Sequence, residues 1–324
     1  MRRLLCLTVA ATLWPSGAMA AFTRDFTGTS AGTFLKLPID ARGAALGGAM
    51  DAAAEDVSAL HWNPAGLAGV ATRHVSASYL SYLQGINYGF IGLAHPLESL
   101  VSRPRRELAP TGLGTVAVGA VYLNAGTLQE KDNTGAATGG AFAPTDVAIM
   151  VGWGGAMTRS LDLGVTLKAV REQIQASATT AAGDFGARLR LRVGPVPYAL
   201  SASIHNAYGH LKFHDQNDPL PLTGRIGAAA ELLPGWLVLA SLEAPRDNSP
   251  FASFGTEFAY LFRDKFGGAL RLGFNGMTRR GQMEGTSGLC LGLGGRWDRL
   301  SLDFAWQPYG VFGDANRFTL SYRF

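Results

Sequence analysis

From Thr72 to Phe324 the chain is a succession of segments in which apolar and polar side chains alternate one by one. That is the period of an extended strand whose two faces meet different surroundings. Turn-forming residues separate the segments at the spacing of an all-β protein. Candidate strands fall near 72–84, 86–96, 112–124, 144–157, 161–175, 179–193, 198–208, 221–233, 236–245, 249–262, 265–276, 284–297, 300–308 and 316–324. The resulting fourteen is an even number, as single-chain bacterial membrane barrels require. In one strand Leu300, Leu302, Phe304 and Trp306 oppose Ser301, Asp303, Ala305 and Gln307; in another Leu161, Leu163, Val165 and Leu167 oppose Asp162, Gly164, Thr166 and Lys168. Phe185, Ala187, Leu189, Leu191 and Val193 likewise oppose Arg188, Arg190 and Arg192. An arginine on a lipid face near the midplane costs about 2 to 4 kcal/mol, so the apolar sets are expected to meet hydrocarbon and the arginines the lumen. The last strand carries Phe318, Leu320, Tyr322 and Phe324 on its expected lipid face and ends on an aromatic residue, as chains handled by the barrel-assembly machinery commonly do.

The connections fit a transmembrane antiparallel β-barrel. Counted back from Phe324, alternate links are short: Asp298-Arg299, Arg263-Asp264, Pro234-Gly235, Gly194 to Pro197 and Thr158 to Ser160. Periplasmic turns are short and outer loops long, which places these links on the inner side. The link from Leu97 to Thr111, with Arg103, Arg105 and Arg106, departs from this rule and reads as a periplasmic excursion. The opposite links, Ala125 to Ala143, Gly209 to Leu220 and Met277 to Met283, are longer or more polar. Trp153, Trp236, Trp297 and Trp306 lie near strand ends, where aromatic girdles belong. A secreted β-sandwich explains the alternation equally well but has no need of the terminal Phe324.

Residues 1–20 read as a cleaved signal peptide: Arg2 and Arg3, an apolar stretch from Leu4 to Trp14, and the small residues Ala18-Met19-Ala20. Its removal leaves 26 basic and 24 acidic residues, a balance that argues against nucleic acid as partner. It also leaves Cys290 as the one cysteine, so no intrachain disulfide is expected. No uncharged run after Ala20 is long enough for a membrane helix, and a chain that crosses lipid with strands must close them into a barrel. Residues 21–70 differ from the rest, with small-residue clusters (Ala44 to Ala49, Ala52 to Ala54) among the charges Asp40, Arg42, Asp51, Glu55 and Asp56. They read as compact turns and short helices, ahead of a barrel spanning 71–324.

The segment running through Gly28-Thr29-Ser30, Phe34-Leu35, Ala41-Arg42, Gly47-Gly48-Ala49, Glu55-Asp56 and Trp62-Asn63-Pro64-Ala65-Gly66-Leu67 resembles the amino-terminal region of the PorV/PorQ family, which is similar to the FadL group of outer-membrane hydrocarbon transporters. Asp303 to Gly310, with Gly313 and Arg317-Phe318, resembles that family's closing hairpin. The resemblance implies an outer-membrane barrel of fourteen strands, monomeric, whose lumen holds an amino-terminal plug carrying the Asn-Pro-Ala turn. Gly28, Arg42, Gly47 and Gly48 belong to that plug. In the turn itself Pro64 fixes φ, Asn63 suits the extended or capping position before it, and Gly66 is expected to supply a left-handed exit.

FadL-like barrels imply passive passage of a hydrophobic small molecule, with plug displacement and sideways exit through a strand kink. Gly85, Gly89 and Gly92 are the expected kink, since glycine weakens a ladder. The alternative reading is a PorV-like part in type IX secretion, with a secreted protein as cargo. No cofactor is expected. Gly28-Thr29-Ser30-Ala31-Gly32 matches a nucleophile elbow without the strand and helix that such chemistry needs. His210 and His214 have helical metal spacing but fall in an expected outer loop. No convergent Ser/His/acid set is legible, so neither catalytic nor metal-binding residues are expected.

Overall fold

The structure, a computed structural model, describes residues 27–82, 85–97, 112–213, 216–263, 265–280 and 286–324. The expected signal peptide, the arginine-bearing link after Leu97 and His214 lie outside these. The strands are β1 (His74–Ser81), β2 (Asn87–Pro96), β3 (Thr115–Asn124), β4 (Leu128–Lys131), β5 (Ala137–Phe142), β6 (Thr145–Ala156), β7 (Leu161–Gln173), β8 (Ser177–Val193) and β9 (Val196–Ala207). They continue with β10 (His210–Phe213), β11 (Gln216–Pro219), β12 (Thr223–Leu233), β13 (Trp236–Pro245), β14 (Phe251–Arg263), β15 (Phe266–Asn275), β16 (Leu289–Trp297), β17 (Leu300–Pro308) and β18 (Asp314–Arg323). Fourteen of them form one closed antiparallel barrel, and β4-β5 and β10-β11 are separate two-stranded hairpins. Each expected strand matches a barrel strand. Alternation gives no hint of the two hairpins, because short, polar, exposed strands leave no periodic trace.

Closure comes from β1 against β18, in register from His74↔Arg323 to Ser81↔Asn316. No strand of the barrel is left with an open edge, and in hydrocarbon every backbone group must find such a partner. Alternation sets the two faces: Leu167 is 64% exposed on the outside while its neighbours Thr166 and Lys168 are 0% and 4% exposed on the inside. Leu302, Leu320, Phe318, Tyr322 and Phe324 are exposed on the same outer surface. Aromatic pairs stack near the short-turn end, Trp236 on Phe258 with centroids 5.3 Å apart and Phe266 on Trp297 at 6.2 Å. A wall with so continuous an apolar exterior requires an apolar solvent around it.

The buried core lies inside the barrel rather than between sheets. Residues 33–70 form a 3-10 turn (Thr33–Lys36), α1 (Ala41–Ala45), α2 (Ala59–Trp62) and a second 3-10 turn (Pro64–Gly69), matching the expectation of short helices. Ile39, Leu46, Met50, Leu60 and Leu67 of this stretch are fully buried, each contributing about 1.5–3 kcal/mol. A third short helix, α3 (Gly276–Arg280), follows β15.

Candidate functional site

The amino-terminal segment runs the length of the bore. At the long-loop end Ala31 N donates to Pro219 O (3.1 Å), Gly32 N to Glu172 Oε2 (2.8 Å), and Lys36 pairs with Asp247 at 2.6 Å. Midway, Ala41 N donates to Thr319 Oγ1 (2.8 Å), and Arg42 grips Glu257 through Nε and Nη2, both at 2.8 Å. Asp51 accepts from Ser241 Oγ at 2.5 Å and faces Arg225. Lower down Glu55 pairs with Arg188 at 2.7 Å, after which Pro64 to Val70 pass along the wall and β1 begins at the short-turn end.

Its own folding is organised by Asp40. This residue caps α1, accepting from Gly43 N (2.8 Å), and its other oxygen accepts from Trp62 Nε1 (2.7 Å), so one carboxylate ties α1 to α2. Burial raises the Asp40 carboxyl above its ordinary range. Gly43 permits the arrangement, since a Cβ there would lie 2.3 Å from the Trp62 ring.

The Trp62 to Leu67 motif sits against the wall formed by β6, β7 and β8. Asn63 is extended (φ −165°, ψ 113°), its side chain accepts from Ala65 N, and Pro64 opens the second 3-10 turn, as expected for a capped turn. Asn63 Nδ2 also donates to Ala187 O on β8 (3.3 Å). The wall offers glycine where the turn touches it. A Cβ on Gly164 would lie 2.2 Å from Pro64 C, one on Gly186 2.0 Å from Asn63 Oδ1, and one on Gly154 2.4 Å from Pro64 O. Gly66 differs from the expectation: it has no left-handed φ, and glycine is needed because a Cβ would stand 2.0 Å from Ala54 O. Gly28, Gly47 and Gly48 do have positive φ, and Asn275 Nδ2 donates to Gly47 O (2.8 Å), fastening that turn to the long-loop end of β15.

Of the three arginines on β8, Arg188 is buried and pairs with Asp162 (3.0 Å) as well as Glu55. Arg190 reaches the same Asp162 at 2.8 Å from a half-exposed position, and Arg192 is exposed near the turn into β9. Asp162 is fully buried, so removing Arg188 strips it of its inner partner. Breaking a buried pair costs about 3–5 kcal/mol, and because Asp162 keeps Arg190, Arg188→Ala is expected to lower the unfolding free energy of the detergent-folded barrel by less than that, read as a lower denaturant midpoint. An unchanged midpoint, read from the gel shift of the folded form, contradicts the assignment.

Gly85, Gly89 and Gly92 do not form a kink. Gly85 lies in the β1–β2 turn with φ 81°, and β2 pairs without interruption to β1 and to β3 through both other glycines. Gly92 makes room for the segment instead, since a Cβ there would lie 2.7 Å from Val57 Cγ2. Among the described residues, a register break lies at the long-loop end of the β8–β9 ladder, where pairing passes from Phe185↔Ile204 to the last pair, Gly183↔Ala207, and Asn206 takes φ 57°. Asp184 repairs the gap by accepting from Asn206 N (2.8 Å), while Lys168 Nζ holds Asp184 and Asn206, each at 2.8 Å. His205 joins this group through Nδ1 to Asp184 (3.3 Å) and Nε2 to Ser203 Oγ (2.8 Å). A Ser/His/acid set therefore exists that the sequence did not disclose. Its two halves lie on different strands, and only the β8–β9 register unites them. The elbow-like Ser30, by contrast, is buried with no partner for its hydroxyl, and His210 stands on a strand rather than a helix.

A cavity of about 670 Å³ opens at the short-turn end and reaches the segment at Asp40, Arg42, Asp56 and Ser58. Its wall is rich in charge, including Arg271, Arg296, Arg299, Arg323, Glu257 and Asp303.

The sequence matches no protein-family model and no curated protein. The PorV/PorQ resemblance and the type IX reading therefore gain no support. The fold does have counterparts among solved structures. The Pseudomonas putida toluene transporter TodX shares 10% identity over 87% of this chain and 96% of that one, with a TM-score of 0.54. A TodX variant described as a monoaromatic hydrocarbon channel gives 0.57 at 10% identity, covering 89% and 99%. The Ralstonia pickettii toluene transporter TbuX gives 0.53 at 14% identity, covering 88% and 98%. These are toluene transporters and a monoaromatic hydrocarbon channel, and the likeness of this chain to them is one of fold.

Proposed function

We propose that this protein gives a hydrophobic small molecule passive passage across the bacterial outer membrane, gated by displacement of its amino-terminal segment acting as a plug. The observation that carries the reading is the packing of residues 31–70 down the bore, with wall glycines at Gly154, Gly164 and Gly186 in contact with Asn63 and Pro64. The fold shared with hydrocarbon transporters supports it. Cargo enters by shifting the segment. Its exit lies sideways, at the β8–β9 break whose outer rim is Leu167, Phe185 and Ile204. Ladder bonds are already missing there, and the Lys168–Asp184–Asn206 group closes the gap.

Uptake of radiolabelled toluene by cells carrying the protein in the outer membrane tests the reading. It is expected to be faster than in cells without the protein; equal rates overturn it. The gate is tested separately. Asn63→Ala combined with Pro64→Ala removes the cap and the fixed φ of the turn, and is expected to raise leakage of a small hydrophilic dye from proteoliposomes. Leakage equal to that of the unaltered protein contradicts a plug held by this turn.

A further inference from the structure

We propose that Ser203, His205 and Asp184 form a latent acyl-ester hydrolase centre in the barrel wall, covered by the amino-terminal segment and uncovered when that segment moves. The inference rests on the plug reading above. Its geometry has the order that serine hydrolysis needs: Ser203 Oγ lies 2.8 Å from His205 Nε2, and His205 Nδ1 lies 3.3 Å from Asp184 Oδ2. A carboxylate at Nδ1 selects the tautomer that keeps its proton there, leaving Nε2 to accept from the serine hydroxyl. Asp184 is itself oriented by Asn206 N–H on its other oxygen. Lys168 shares Oδ2 at 2.8 Å and tempers the charge that Asp184 offers the imidazole.

A fourth element stands beside the serine. Arg225 is the cross-strand partner of Ser203, is 7% exposed, and its Nε is buried with no hydrogen-bond partner. An unused donor on a fixed cation next to the nucleophile suits the oxyanion of a tetrahedral intermediate. On its other side Ser203 is paired with Gly186, whose missing side chain leaves the space that Asn63 Oδ1 occupies. Trp62 lies against Arg225, with Cζ 5.6 Å from the ring centroid. Trp62 and Asn63 thus cap the site, and Ser203 and His205 are 6% and 3% exposed beneath them.

With the cap withdrawn, Ser203 Oγ bonds to the carbonyl carbon of an ester as its proton passes to His205 Nε2. The C–O bond to the alcohol then breaks and the alcohol leaves with that proton. Water, deprotonated by His205, attacks the acyl-serine, releasing a carboxylic acid and restoring the serine proton. The substrate class is an ester with an acyl or alcohol part apolar enough to enter the bore. Ser203 and His205 are the catalytic residues, and Asp184 is a positioning residue.

The test is fluorophosphonate labelling of the full barrel in detergent, with the site located by mass spectrometry and folding checked by gel shift. In the Asn63→Ala/Pro64→Ala protein Ser203 is expected to become labelled, Ser203→Ala to remove the label, and Asp184→Asn to slow labelling by about 100-fold or more. The rate is expected to rise with pH through one ionisation, and His205→Ala to flatten that profile, which a merely structural role would not do. Access is reported in parallel by Ser203→Cys in a Cys290→Ser background, through reaction of the introduced thiol with a small maleimide. If that thiol reacts while Ser203 takes no label, the hydrolase proposal fails and the plug stands. If the thiol does not react in the loosened protein, the cap is wrong and both readings fail.

Discussion

Leu320→Arg is expected to impair assembly of the barrel far more than Ser321→Arg. The two positions are adjacent on β18, yet Leu320 is 49% exposed on the outer face and Ser321 is 7% exposed on the inner one. Leu320 pairs with Leu302 and Ala77 in the closing strands, so an arginine there places a guanidinium in hydrocarbon. The penalty is about 2 kcal/mol near the midplane at the low end of its range, and it falls on the seam that completes closure. Ser321 lines the charged cavity at the short-turn end, where an arginine can extend into water beside Arg323 and Ser301. Its loss removes one hydrogen bond, to Ser76 at 3.0 Å. Folded yield in vesicles, scored by gel shift, separates the two, and equal yields refute the facing of β18.

The second large effect concerns the seat of the Asn-Pro turn. Gly164→Leu is expected to leave the barrel closed and to drive residues 62–66 from the wall. A Cβ at 164 would fall 2.2 Å from Pro64 C, 2.3 Å from Pro64 O and 2.4 Å from Ala65 N, all backbone atoms that no rotamer change can move aside. Overpacking of this kind costs about 1–3 kcal/mol, which raises the displaced fraction roughly 5- to 150-fold. Dye leakage from proteoliposomes should rise accordingly. Gly224→Leu is the control, because nothing lies within 4 Å of a Cβ there. Equal leakage from the two proteins contradicts the packing of the segment against β7.

The barrel is legible in the sequence because period-two alternation reports directly on a wall with lipid on one side. It locates all fourteen strands and puts Leu167 outside and Lys168 inside. What alternation cannot report is what an inward side chain meets across the bore. Gly92 reads as a kink, and Gly164 and Gly186 give no sign of what they face; only the contact with Pro64, Asn63 and Val57 shows that all three supply space. The same limit hides the partners of Arg188 and the meeting of Asp184 with His205, residues on separate strands brought together by a bulge at Asn206. Gly66 reads as a turn glycine from its place after Pro64, while its actual constraint is the carbonyl of Ala54. Arg317, buried over the Tyr88 ring with Cζ 5.2 Å from the centroid, gives no signal beyond its inward register.

The central claim is that residues 31–70 stopper a membrane-spanning cylinder, and electrical recording across a planar bilayer tests it most directly. The unaltered protein is expected to insert without a steady current, while the Gly164→Leu protein passes ions. A steady ohmic conductance from the unaltered protein, equal to that of Gly164→Leu, would contradict the account.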